Sequence, residues 1–235
     1  MEVDRLIALG HYEEARRRIL AGEEGDAQGL AVLLELRDWL RLKEYGRALK
    51  VLEQDGEQVQ AYLDVAQARA AIEAFEAEDA ERMGAYLSDP HLGAEAQAVL
   101  GLVHVRRGEH ARAQQAFEAA LQADPGHYRA KTNLANLALE AGQTEEAIRL
   151  YEEALRLNPE YALAHHNLGA AYRKKGQLDK AVYHIKQGQR LQMRPPVRPL
   201  CGMAPGAGQA LPWLGRWWVW FLLAGLVLWL IGRRP

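Results

Sequence analysis

At 235 residues, with 49% apolar and 26% charged side chains, the chain has the composition of an ordinary globular protein of one large or two small domains. A single cysteine, Cys201, excludes an intrachain disulfide and any multi-cysteine metal site. The formal net charge of −2 conceals a polarity, since residues 1–93 carry 11 basic and 20 acidic side chains while 94–235 carry 18 and 11, which gives the two ends different chemistry.

Ala, Leu, Glu, Arg and Gln dominate, and runs of β-branched residues between turn signals are missing, so helix is expected throughout and almost no strand. The N-terminus, Met1 to Arg5, enters charged amphipathic sequence directly and lacks the apolar core of a secretory signal, so by default the N-terminal body is expected in the cytosol. Residues 4–20 read as helix with a turn at Gly10-His11-Tyr12, the helix before the turn being short. After the turn-like Gly22 to Asp26, Leu33, Leu36, Trp39 and Leu40 have helical spacing, and Tyr45-Gly46-Arg47-Ala48 opens a partner helix. Counting Lys43 as the turn position, the step from Gly10 is 33 residues. Residues 58–88 form a worn pair: an alanine-rich helix from Val59 to Phe75, then a short one from Ala80 to Leu87. Asp89-Pro90, Asp124-Pro125 and Asn158-Pro159 each set a capping side chain before a proline at an expected first helical position.

From residue 94 the pattern becomes regular. Gly108, Gly142 and Gly176 are 34 residues apart, each followed five residues later by Ala113, Ala147 and Ala181. Leu100, Leu134 and Leu168 precede the small residues Gly101, Ala135 and Gly169, and Phe117, Tyr151 and Ile185 are followed by Ala120, Ala154 and Gly188. A 34-residue period marks a helical-hairpin array. Small residues where two helices cross, with large apolar ones alongside, permit an axis separation of roughly 8–10 Å. Blocks 94–127, 128–161 and 162–195 resemble tetratricopeptide repeats (TPR), with residues 1–93 as degenerate members, about five and a half hairpins in all. The resemblance implies an all-α solenoid, a right-handed superhelix whose first helices line a concave groove.

Pro195-Pro196 stops the final helix, and the Pro/Gly-rich stretch 196–212 replaces the polar capping helix that many such arrays carry. Beyond it, 213–232 is expected to be a transmembrane helix, with Trp213, Arg216, Trp217, Trp218, Trp220, Trp229, Arg233 and Arg234 as its interfacial residues. The uninterrupted apolar run from Trp217 to Gly232 rises only about 24 Å against a hydrocarbon core of roughly 30 Å, so spanning requires thinning or snorkelling. Residues 162–235 carry 11 basic side chains and one acidic, Asp179, which favours an anionic lipid surface.

Eight histidines invite a metal reading, His165, His166 and His184 above all. No pair has the i, i+4 spacing of a helical metal site and no nearby carboxylate completes a set, so no metal is expected. His104 stands where Tyr172 stands in the last repeat and reads as a packed side chain. No phosphate loop, nucleophile elbow or acid–base pair stands out, so neither catalysis, a cofactor nor a small-molecule substrate is expected. Nucleic acid is disfavoured too: Arg173-Lys174-Lys175 is basic, but the N-terminal half is acidic and lacks interleaved aromatics.

The resemblance implies that Asn133 and Asn167, at matching repeat positions, bond the backbone of a peptide in the groove, with Arg129, Thr132, Asn136, His166 and Arg173 on the same face. Those asparagines have a plainer use, capping or bridging neighbouring helices. The expected whole is a tail-anchored scaffold with its repeats in the cytoplasm. The Ala/Arg-rich composition points to a bacterium and its inner membrane. The alternative is a soluble protein whose apolar tail folds back as an intramolecular ligand.

Overall fold

A computed structural model describes residues 2–193, and every α-helix in that span belongs to one of six consecutive hairpins. These are α1 (Glu2–Ala8) with α2 (Tyr12–Leu20), α3 (Ala27–Arg41) with α4 (Tyr45–Gln54), and α5 (Val65–Ala77) with α6 (Ala80–Met83). They continue as α7 (Gly93–Arg106) with α8 (His110–Ala123), α9 (Tyr128–Glu140) with α10 (Thr144–Leu157), and α11 (Ala162–Lys174) with α12 (Leu178–Gln192). Among the described residues there is no strand, and the fold is an all-α, TPR-like solenoid. No described helix is long and apolar enough to cross a membrane. The linker 196–212, the apolar segment 213–232 and Cys201 lie outside the described residues.

Every hairpin turns through one left-handed residue: Gly10, Lys43, Glu78, Gly108, Gly142 and Gly176, with φ from 52° to 81°. Lys43 thus occupies the glycine position that counting assigned to it. The backbone there closes the first helix's last turn, as where the Glu44 N–H donates to the Trp39 carbonyl and the Gln143 N–H to the Ala138 carbonyl.

Small residues sit at the helix crossings. A Cβ on Gly101 would overlap the Phe117 ring, and one on Gly169 would come within 2.7 Å of Ile185. Between them Ala135, Ala147 and Ala154 are fully buried beside Tyr151. Two cores serve the later hairpins, one around Phe117 and one around Tyr151 and Leu168, while a third runs from Val3 to Val103. Helix α7 belongs to two of them, with Ala96, Val99 and Val103 in the N-terminal core and Ala98 in the core around Phe117.

Two local expectations are corrected. The Asp-Pro and Asn-Pro pairs do not open helices, because each forms a turn three residues upstream of one. Asp89 accepts the N–H groups of His91 and Leu92 (2.8 Å each), Asp124 that of Gly126 (3.0 Å) and Asn158 that of Glu160 (3.1 Å). A side chain bonding the backbone two residues on is the favoured use of Asp and Asn in turns. The helix predicted from Val59 to Phe75 is interrupted at residues 60–64, where Asp64 caps the later start of α5 by accepting from Ala66 and Gln67.

Candidate functional site

The polar residues expected on the first helices divide into two groups. Arg129 and Thr132 are buried. Thr132 donates to the Tyr128 carbonyl of its own helix (2.9 Å). One Arg129 nitrogen donates to the Leu40 and Arg41 carbonyls (3.2 Å each) and to both oxygens of Glu95 (3.1 and 3.3 Å). The last carbonyls of a helix have no partner within it and carry partial negative charge, so a guanidinium at the end of α3 satisfies both needs. Arg129 therefore fastens the second hairpin onto α9.

Glu95 is the centre of this joint, and its one distinguishing mark in the sequence is that it is the sole carboxylate of an alanine-rich helix. Tyr45 donates to one oxygen (2.6 Å) and His127 Nε2 lies 3.0 Å from the other. The Ala130 N–H donates to His127 Nδ1 (3.2 Å), so the ring's proton is on Nε2 and points at the carboxylate. Burial alone would raise the Glu95 carboxyl, but Arg129, His127 and Tyr45 outweigh it and hold the group down at about 2. All its partners donate to it, so the charge is enclosed.

Further contacts close the same joint. Arg41 grips Asp124 with two nitrogens (2.7 and 2.5 Å), and Tyr128 donates to the Arg41 carbonyl (3.1 Å). His91 Nε2 faces the Tyr62 carbonyl at 3.1 Å and therefore carries the proton, leaving Nδ1 to accept from Tyr12 (2.5 Å). Burial lowers the His91 pKa, which favours that neutral ring.

The second group lies on α9 and α11, which pack beside one another. Asn136 Oδ1 accepts from Tyr151 (2.6 Å) and from the Asn167 amide (2.9 Å), a bridge between neighbouring repeats. Asn133 is half-buried, while His166 and Arg173 are exposed. Lys174 donates to the Leu139 carbonyl at the end of α9 (3.1 Å), tying the two helices at their other end.

The histidines resolve separately. His165 and His184 face each other through Nδ1 at 3.0 Å, His166 stands apart, and no cluster of three metal-ligating side chains exists among the described residues. His104 is held by Glu109 at 2.6 Å.

A cleft of about 1320 Å³ lies between the turns of the first two hairpins and the loops that precede α7, α9 and α11. It contains none of the polar residues expected in the groove.

Two family models match the chain, a TPR repeat at residues 135–176 and a tetratricopeptide repeat at 104–150, so the chain contains TPR repeats. No curated protein matches it. Among solved structures it is similar to a crystal structure of MamA at 25% identity, covering 62% of this chain and 85% of that one, with a TM-score of 0.44. A second structure of MamA protein is 22% identical over 72% of this chain and 97% of that one, TM-score 0.44. A MamA AMB-1 structure is 21% identical over 68% and 96%, TM-score 0.42.

Proposed function

We propose that the chain is a membrane-held TPR scaffold that binds a peptide or helix of a protein partner along α9 and α11. TPR repeats are protein-interaction units, and what supports this face is the state of its polar groups. Asn136 and Asn167 are fixed to one another at 2.9 Å, while Asn133, His166 and Arg173 have no hydrogen bond from their side chains among the described residues. An amide with donor and acceptor unengaged matches a peptide unit, and the fixed pair beside it lowers the ordering cost of binding. Arg129 and Thr132 leave the set, being consumed inside the fold.

The membrane part of the reading rests on the sequence. The apolar segment 213–232 and the basic balance of 162–235 favour an anionic bilayer, and confinement there raises the effective concentration of partners held at the same surface. Alkaline carbonate extraction tests it: the full chain is expected to stay with the membrane pellet. Release into the supernatant would favour a tail that serves the protein from within.

Partner recognition is tested by purifying the full chain with its partners in mild detergent. The variant Asn133→Ala/Asn167→Ala is expected to recover at least tenfold less partner; unchanged recovery rejects the α9–α11 face.

A further inference from the structure

The cleft between the early turns and the later loops has a composition of its own. One wall comes from the α1–α2 and α3–α4 turns, the other from the loops before α7, α9 and α11 with the ends of α8, α10 and α12. Of the large hydrophobic side chains left exposed among the described residues, Leu9 (53%), Leu42 (40%) and Leu157 (45%) all line it, on both walls. Half-buried Leu87 and Leu191 extend the apolar strip. Single exposed leucines need no explanation, but leucines facing one cleft from two sides form a patch of the kind that marks an interaction site.

The polar lining is acidic, with seven carboxylates against four arginines. Those arginines are engaged by five of the same carboxylates, Arg41 with Asp124 and Asp38, Arg37 with Glu13, Arg17 with Glu14 and Arg47 with Glu44, so the lining keeps a net surplus of three negative charges rather than seven. The surplus of negative charge favours a cationic ligand and repels an anionic one. A space of about 1320 Å³ holds about three turns of a helix some 10 Å across, larger than most small-molecule sites.

We propose that this cleft docks a basic amphipathic segment of a partner protein, with apolar side chains seated on Leu9, Leu42 and Leu157 and lysines or arginines set against the acidic lining. The site is separate from the α9–α11 face, and it gives the scaffold two places to hold protein.

The probe is a fluorescein-labelled peptide of about four helical turns built from leucine and lysine in amphipathic register, titrated by anisotropy with the purified full chain. A leucine–glutamate peptide of the same pattern is the control. The lysine peptide is expected to bind at low salt and the glutamate peptide not. Leu42→Gln and Leu157→Gln, on opposite walls, are each expected to weaken binding about tenfold with unchanged helical circular dichroism. Leu20→Gln, at a 77% exposed side chain outside the cleft, is expected to leave binding as it was. Asn133→Ala/Asn167→Ala is also expected to leave it unchanged, which separates failure of this site from failure of the other. Equal binding of both peptides, or wild-type affinity in both cleft variants, overturns the proposal. So does a concentration-dependent dimer that Leu42→Gln dissolves, since the occupant is then a second copy.

Discussion

Glu95 sets the energetic stakes at the scale of single residues. It is 3% exposed and carries a charge held by Arg129, His127 and Tyr45. Replacing such a buried cluster by apolar residues can be neutral, but removing one partner strands the other. Glu95→Gln leaves the Arg129 guanidinium buried without its counter-ion, and a loss of about 3–5 kcal/mol in urea unfolding at neutral pH is expected. The same group makes stability depend on pH. Because its folded pKa is depressed from 4.5 to about 2, its contribution is complete above about pH 4.5 and fades as the pH falls toward 2. The wild type should lose more stability than Glu95→Gln over that interval; parallel curves would contradict the assignment. Sequence reading placed Arg129 in a binding groove because its repeat position faces that way. What claims it instead is the end of α3, 88 residues earlier, and no local pattern reveals a contact at that separation.

At the scale of the element, the left-handed turn residue and the helix crossing were both legible, since both depend on residues close in sequence. Gly142 has φ of 81° with nothing within 4 Å of an added Cβ, so Gly142→Ala tests the backbone alone and should cost about 1 kcal/mol. Lys43 holds φ of 60° at the equivalent place, so Lys43→Gly should add about 0.5–1 kcal/mol, against the loss of a 3.7 Å ion pair with Glu78. Opposite signs for the two substitutions in thermal unfolding would support a shared turn. Gly101→Leu tests the crossing: with the Phe117 ring against the glycine, the added bulk should cost about 1–3 kcal/mol or part α7 from α8. The break at residues 60–64 was missed for a local reason as well. Alanine-rich sequence after the break favours helix, and Asp64 acts as a cap only once the chain has turned to meet it.

Across the whole molecule, the repeats supply a regular array from α7 to α12, and the earlier hairpins are joined to it through Glu95, Arg41–Asp124 and Tyr12–His91. Hairpin order could be read from periodicity, whereas this joint could not, because it is built from helix ends and loops that lie far apart in sequence. It matters for function in two ways: it withdraws Arg129 from the surface, and its residues line the acidic cleft. What stays open on α9 and α11 is a short polar face centred on Asn133 and the Asn136–Asn167 bridge. This face is the one proposed to hold the partner. The most direct measurement is quantitative recovery of partner by the full chain in mild detergent, wild type against Asn133→Ala/Asn167→Ala, with helical content and thermal stability matched. At least a tenfold loss is expected in the variant; recovery of the same partner in the same amount would show that the partner is held elsewhere.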